Sequence, residues 1–309
     1  MNHEFSSFCN TLIETTGFFE GTILLVGKTD SGKTTLMQCL LDAFKRRGRT
    51  VSLVDADLGQ SRIGPPTTMG YLPPGMHTHT AILFDPPALH FLGDTTPAGK
   101  IEPAAWYTAH LIQLGKKYGR VVLVDTCGYF GCAEAERMKI LQAEWGKVDL
   151  IIALGEQREL CFLQEKAASS VLMIPPCSGV PVKTPQQRKA HREALFQTYF
   201  SRVRFQRIDL HRFSSRPPDL SPWIEGNVSS QSFLAMLSGE KKQYAYNGLL
   251  CGLWDTRGVC IGLGRLRRLE ILEGWAQLAI PKVLKDDVHT VVPGILRVGP
   301  TGEEMGRID

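Results

Sequence analysis

The sequence predicts an α/β fold: a mainly parallel sheet with helices on both faces, followed by a small β-rich appendage. Three observations carry that expectation. Short apolar runs alternate with helical patterns from Thr22 to Ile174, the first run leads into a glycine-containing loop that opens a helix, and from about Gln243 helical periodicity gives way to short β-like runs punctuated by glycine.

Taken in order, "TILLV" (Thr22 to Val26) is a continuous apolar run, as expected of a parallel strand buried on both faces. Lys33 to Phe44 reads as a helix, with Leu36, Leu40, Leu41 and Phe44 on one stripe. Further strands are expected at Thr50 to Val54, Arg120 to Val124, Val148 to Leu154 and Ser170 to Ile174, with helices around Pro103 to Lys117, Ala133 to Trp145 and Glu156 to Ala168. Two segments interrupt the alternation: Ser61 to His79, rich in Pro and Gly, and Pro175 to Pro185, which leads into the basic helix "TPQQRKAHREALFQTYF". Long loops of this kind are usually functional, and substrate contacts are expected there. The organisation expected is an extension over 1–20, a main domain over 21–240 with a lid around 176–200, and a β-rich domain over 241–309.

Composition narrows the class. In 309 residues, 43% are hydrophobic and 21% charged, which fits an ordinary globular chain rather than a disordered one. No apolar run approaches the roughly 18 to 20 residues of a spanning helix, and "MNHEFSSFCN" lacks the basic-then-apolar order of a secretory signal, so a cytoplasmic protein without membrane contact is expected. The eight cysteines form no C-x-x-C pair and have no His at zinc spacing, which points to reduced thiols. A net charge of +4 does not by itself announce a nucleic-acid partner. Local basic clusters at Lys45 to Arg49, Arg202 to Arg216 and Arg265 to Arg268 read first as solvated faces, the first of them as a helix C-terminus complemented by cations.

The loop "VGKTDSGKTT" supplies the first chemistry. Gly27, Gly32, Lys33 and Thr34 satisfy G-x-x-x-x-G-K-[ST] between an expected strand and helix, the context of a Walker A loop in a P-loop NTPase. Backbone N–H groups from Gly27, Lys28, Thr29, Asp30, Ser31, Gly32 and on to Thr35 would cradle phosphates, Lys33 would reach the β and γ phosphates, and the Thr34 hydroxyl would ligate Mg²⁺. In "VSLVDADLGQ", Asp55 ends a strand and Asp57 and Gln60 follow; the carboxyl ends of strands in an open α/β sheet face the ligand crevice. One carboxylate can hold Mg²⁺ and the other accept a proton or orient water, the competing reading being a turn capped by Asp. In "VVLVDTCGY", Asp125 takes the position of a second acidic metal ligand, and Tyr129 either packs or contacts a nucleotide or base. No N-K-x-D or T-K-x-D element for guanine follows, which favours ATP. Arg188 and Arg192 lie four apart on one helix face, either as a solvated basic face or as a lid that delivers arginine to a transition state.

"GKTDSGKTT", "VDADLGQSRIGPPTT", "FLGDTTPAG", "VDTCGY" and "SGVPVKTPQQRKAHREALFQTYF" resemble, in order, the motifs of the polynucleotide 5′-hydroxyl kinases, the family of the mRNA 3′-end cleavage kinase subunit and the nucleolar rRNA-processing kinase. The resemblance spans roughly Gly21 to Phe200. It implies transfer of the ATP γ-phosphate, with Mg²⁺, to the 5′-OH of an RNA or DNA end, and the modest charge excess favours short single-stranded ends over long duplex. It matches Lys33 and Thr34 to the P-loop lysine and the Mg²⁺ ligand, Asp55, Asp57 and Gln60 to the acidic motif that supplies base and metal contacts, Thr126, Gly128 and Tyr129 to a T-x-G-[WY] clasp near nucleotide and substrate, and Arg188 and Arg192 to lid arginines. With these, the expected catalytic residues are Lys33, Asp57 and Arg192, the expected metal ligands Thr34, Asp55 and Asp125, and the expected substrate contacts Gln60, Thr67, Thr68, Thr126, Gly128, Tyr129 and Arg188. Eukaryotic members carry a β domain before the P-loop, so a short form is expected here, with Lys183 standing where an Arg is the family's habit.

Two other readings fit part of the pattern. "GKTDSGKTT" also resembles the deviant Walker A loop of partitioning and septum-site ATPases, with Lys28 at their signature position, although Thr29 and Asp30 replace two glycines. In such a switch the acceptor is water. A nucleotide-dependent RNA-binding scaffold without transfer is the third, opposed by the intact Lys33, Thr34, Asp57 and Arg192.

Overall fold

A computed structural model describes residues 14, 19–76, 83–176, 181–220, 243–284 and 287–308. Cys9, Cys177, nearly all of the expected 1–20 extension, 177–180 of the expected lid and 77–79 of the first long loop lie outside the described residues. The strands in chain order are β1 (Gly21–Gly27), β2 (Val51–Ala56), β3 (Thr68–Leu72), β4 (Ala88–Phe91), β5 (Val121–Thr126), β6 (Leu150–Leu154), β7 (Ser170–Ile174), β8 (Val203–Asp209), β9 (Leu249–Trp254), β10 (Cys260–Glu270), β11 (Trp275–Pro281), β12 (Thr290–Val298) and β13 (Glu304–Arg307). The helices are α1 (Lys33–Arg46), α2 (Ile101–Tyr118), α3 (Ala133–Gly146), α4 (Gln157–Lys166) and α5 (Pro185–Tyr199). No helix among the described residues is long and apolar enough to cross a membrane.

The chain forms two compact units. The first gathers Met1–Asp57, Met69–Ile82 and Thr96–Thr184; the second gathers Leu58–Thr68, Leu83–Thr95 and Pro185–Asp309.

In the first unit, strands run in the order β3-β2-β5-β1-β6-β7. All pair in parallel except β3, which runs antiparallel to β2. β1, β2, β5 and β6 are buried at almost every position and mostly apolar, as expected of strands covered on both faces with no solvated side for polar alternation. β3 is the surprise within the Pro- and Gly-rich segment: "TMGYL" is wholly buried at the edge of β2, and its Gly and turn-rich flanks hide it from a reading by composition. α1 buries Leu36, Met37, Leu40, Leu41 and Phe44, as the stripe predicts. The register aligns Leu25 with Asp125 and Asp55 with Asp125, so the strand ends β1, β5 and β2 bring the P-loop and two carboxylates to one level.

The second unit is built on an antiparallel sheet in the order β13-β12-β9-β10-β11-β8. Its edge strand β8, within a stretch that reads as a basic cluster, pairs with β11 from Val203 against Pro281 to Asp209 against Trp275. β9 is buried throughout, because alternate residues serve two cores. Leu249, Cys251 and Leu253 join Ile208, Leu266 and Leu278 in one; Leu250 and Trp254 join Leu89 and Phe91 of β4 and Phe196, Tyr199 and Phe200 of α5 and its end in the other. Tyr199 also accepts the Leu263 N–H at 2.8 Å, tying the helix to β10.

Candidate active site

β1 ends at Gly27, and the chain turns through Asp30 (φ 60°) and Gly32 (φ 98°) into α1. The first turn of α1 holds no acidic residue, so its N–H groups and dipole are open to an anion. Lys33 is 5% exposed and folds back over the loop, its Nζ donating to Gly27 O at 2.9 Å and Lys28 O at 2.7 Å. An ammonium held only by carbonyls at a loop of inward N–H groups is poised for phosphate oxygens. The Ser31 hydroxyl is buried without a hydrogen-bond partner, and Thr35 is exposed on the first turn.

Thr34 Oγ1 donates to Asp125 Oδ2 at 2.6 Å, while Asp125 Oδ1 is buried and has no hydrogen-bond partner among the described residues. Burial pushes the Asp125 carboxyl up, while Lys33 and the Thr34 hydrogen bond pull it back; the Asp57 charge adds to the rise. An orphaned, buried carboxylate oxygen beside a Thr hydroxyl at the P-loop fits Mg²⁺, which takes one or two protein oxygens and completes its shell with phosphates and water. No group of three or more His, Cys, Asp or Glu suited to a metal occurs among the described residues. Asp55, 3% exposed, accepts the Asp57 N–H on Oδ1 at 2.9 Å and so fixes the turn that carries Asp57, which is partly exposed.

Lys139 is a member of this cluster that no motif announces. It is fully buried on α3, and its Nζ donates to Cys127 O at 2.9 Å, two residues beyond Asp125. Burial lowers its pKa, against the pull of Asp57 and Asp125. The sequence carries a faint signal: Ala135, Met138, Lys139 and Gln142 share the buried face of α3, a position where lysine is costly without a partner.

The T-x-G-Y segment is placed as follows. The Thr126 hydroxyl donates to Leu25 O at 2.7 Å and is committed to joining β5 to β1. Gly128 presses against the P-loop: a Cβ there would overlap the backbone and side chain of Thr29, so only glycine fits. Tyr129 donates its phenol to Glu134 Oε2 at 2.6 Å, and hydrogen bonds with Cys132 and Glu134 hold its proton on well above the usual range. Glu134 also accepts the Gly99 N–H at 2.7 Å, linking the "FLGDTTPAG" segment to Tyr129 of the T-x-G-Y segment. Lys28 pairs with Glu159 of the same chain beside a cavity of about 400 Å³ lined by Phe130, Cys132 and Phe162. Asp30 accepts the Lys183 N–H at 3.0 Å, which puts the end of the second long loop on the P-loop.

The chain matches the family model for the mRNA cleavage and polyadenylation factor CLP1 P-loop over residues 27–202. It belongs to the CLP1 P-loop family. Among its relatives, a polyribonucleotide 5′-hydroxyl-kinase of Pyrococcus horikoshii is 28% identical over 93% of this chain and 89% of its own. One of Methanocaldococcus jannaschii is 25% identical over 93% and 90%. The polyribonucleotide 5′-hydroxyl-kinase Clp1 of Xenopus laevis is 28% identical over 58% of this chain and 43% of its own. Clp1p, solved in complex with Pcf11p, superposes with a TM-score of 0.68 over 96% of this chain and 80% of that one, at 13% identity. The α/β P-loop fold expected from the sequence is thus the CLP1 fold, with the additional β-rich sheet.

The remaining expected site residues of this family member belong to the second unit. Thr67 is fully buried at φ 78°, a left-handed conformation rare for a β-branched residue, and its hydroxyl has no partner. Its N–H reaches Leu58 O at 2.9 Å and its carbonyl accepts Leu92 N–H at 3.0 Å. Strain of this kind, on the order of 1–3 kcal/mol, collects at functional sites. Thr68 donates to Pro65 O at 2.6 Å, and Gln60 Nε2 to Gly59 O at 2.9 Å. On α5, Arg188 is partly exposed, whereas Arg192 is held bidentately by Glu304, Nε to Oε1 at 2.5 Å and Nη2 to Oε2 at 3.0 Å.

Proposed function

We propose that the chain is an ATP- and Mg²⁺-dependent polynucleotide 5′-hydroxyl kinase acting on single-stranded RNA or DNA ends. One observation carries the reading: an intact phosphate loop with Thr34 bonded to a half-satisfied Asp125, in a chain aligned over nine tenths of its length with enzymes named polyribonucleotide 5′-hydroxyl kinases.

The work assigned to the protein is alignment and charge stabilisation. Loop N–H groups and Lys33 hold the β and γ phosphates. Thr34 and Asp125, with Asp55 close in register, would hold Mg²⁺, which would supply charge neutralisation at the phosphates. The substrate's O5′ attacks the γ-phosphorus as its proton passes to the Asp57 carboxylate; the bond to the bridging β,γ oxygen breaks and ADP leaves with that electron pair. Gln60, Thr67, Thr68, Thr126, Gly128, Tyr129 and Arg188 form the proposed acceptor side, Gly128 and Thr126 by shaping the loop rather than by direct contact. Arg192, on the helix of the expected lid around 176–200, would supply the arginine that stabilises charge on the transferring phosphoryl. Lys28, paired within its own chain, is a local tether of the loop in this reading rather than a contact for a second copy.

The test incubates the protein with γ-labelled ATP, Mg²⁺ and a 5′-OH oligonucleotide. Label on the 5′ end is expected. Label only in free phosphate, rising steeply with protein concentration, would establish the switch ATPase instead, and no release at all the scaffold.

A further inference from the structure

The phosphoryl-transfer residues leave one face of the second unit's sheet without a role. α5 and β4 pack on the face that carries Leu250 and Trp254. A helix is about 10 Å across and strands are about 4.8 Å apart, so this layer covers only part of six strands. The same face continues past Phe200 over β10, β11 and β8, where alternation would predict apolar residues if another layer covered it. It carries arginines and aromatic rings instead.

Arg267 stacks over Phe205 at 4.2 Å, and Arg207 over Trp275 at 4.4 Å. Arg268 lies 5.6 Å from the Trp275 ring, and Arg265 lies 5.5 Å from Phe200 at the border of the covered region. A bulge between Leu266 and Arg268 produces this density, because the extra residue lets Arg267 and Arg268 both face outward. Phe205 is 52% exposed although it sits mid-strand. Charge is graded along the face. Asp209, Glu270 and Glu273 gather at the hairpin end, where Glu270 pairs with Arg268 and Glu273 accepts the Trp275 indole N–H. Exposed Arg202 and Lys282 lie at the opposite end, and no ion pair engages Arg207 or Arg267 among the described residues.

Aromatic rings interleaved with guanidinium groups on an open sheet face offer two kinds of contact matched to a single strand: π-systems for bases and cations for phosphates. We propose that the β8–β11–β10 face is a second nucleic-acid site, a stacking platform that holds the body of a single strand without reading its sequence. The proposal rests on the kinase reading only for the kind of ligand; the site itself follows from the sheet face. Arg207 and Arg267 bind phosphate oxygens, and Phe205 and Trp275 stack on bases.

The experiment is fluorescence anisotropy of the full chain with a labelled, 5′-phosphorylated oligouridylate of about 12 nucleotides, without ATP or Mg²⁺, at several salt concentrations. Because the probe already carries its phosphate, the result does not depend on transfer, and a protein that binds it but fails to phosphorylate ends would refute the kinase reading alone. The parent chain should bind with a salt-dependent affinity. Arg207→Gln with Arg267→Gln should flatten the log–log salt slope by about 1.4, at about 0.7 per single-strand phosphate contact. Phe205→Ala and Trp275→Ala should each weaken binding about five- to tenfold. Arg207→Lys with Arg267→Lys should restore the slope without full affinity, since lysine keeps the charge but loses the planar stack; parental melting temperatures show that the variants fold. Absence of binding at about 100 μM, an unchanged slope in the glutamine variant, or loss of binding in Lys33→Ala in place of the platform variants would each overturn the proposal.

Discussion

At Asp57 the proposed general base is open to test by a one-atom change. Asp57→Asn keeps the turn fixed by the Asp55 carboxylate, because the Asp57 N–H is what that carboxylate receives. It should therefore lower transfer by on the order of 10²- to 10⁴-fold, the worth of a general base, while calorimetric ATP affinity stays near the parent's. Lys33→Ala should lose both. Lys139 poses a different case. Lys139→Met preserves volume but removes the buried ammonium and its bond to Cys127 O, leaving the Asp125 and Asp57 charges less compensated. The expected outcome is a folded protein with weaker Mg²⁺-dependent ATP binding by titration calorimetry; unchanged binding would confine Lys139 to packing. The placing of Lys33 and Thr34 at the loop and of Asp55 and Asp125 at strand ends was legible in the sequence, because the G-x-x-x-x-G-K-[ST] spacing and the apolar runs fix those positions. Lys139 was not, since a lysine in a helix ordinarily reads as solvated and its partner is a backbone carbonyl, which has no letter in the sequence.

Elements were legible in proportion to how far local pattern determined them. β1, β2, β5 and β6 are mostly apolar, as expected of strands covered on both faces, and α1 shows its stripe for the same reason. β3 and β8 were hidden: the first is short and flanked by Pro and Gly, and the second alternates arginine with apolar residues and becomes a strand through pairing with β11, over sixty residues later in the chain. α5 was read from its helical pattern, yet the partner of its Arg192 lies in β13, beyond any local window. That pair sets the prediction at this scale. Arg192→Ala should reduce kcat by on the order of 10³-fold if the proposed lid arginine meets the transferring phosphoryl. Glu304→Gln, which removes the charge holding the guanidinium, should leave kcat undiminished or raise it. A parallel fall in both variants, measured by initial rates at saturating ATP, would mark the ion pair as a brace for α5 instead.

At the scale of the molecule, each unit is assembled from segments that the chain visits by turns, crossing between them after Asp57, Thr68, Ile82, Thr95 and Thr184. A fragment ending at Thr184 would keep β4 but lose every later partner of Leu89 and Phe91, among them Phe196, Trp254 and Leu263. It should bind an apolar dye and precipitate on warming, whereas the full chain should melt without such exposure, as light scattering against temperature would report. The same interleaving sets a clock on biosynthesis. Leu89 and Phe91 leave the ribosome about two hundred residues before Val298, the last member of their cluster. At about 5–20 residues per second the nascent chain carries these side chains unsheltered for roughly 10 to 40 seconds. Expression yield should consequently respond to whatever binds exposed apolar segments during translation, and to codon choice downstream of Thr184, more than the stability of the finished protein would suggest.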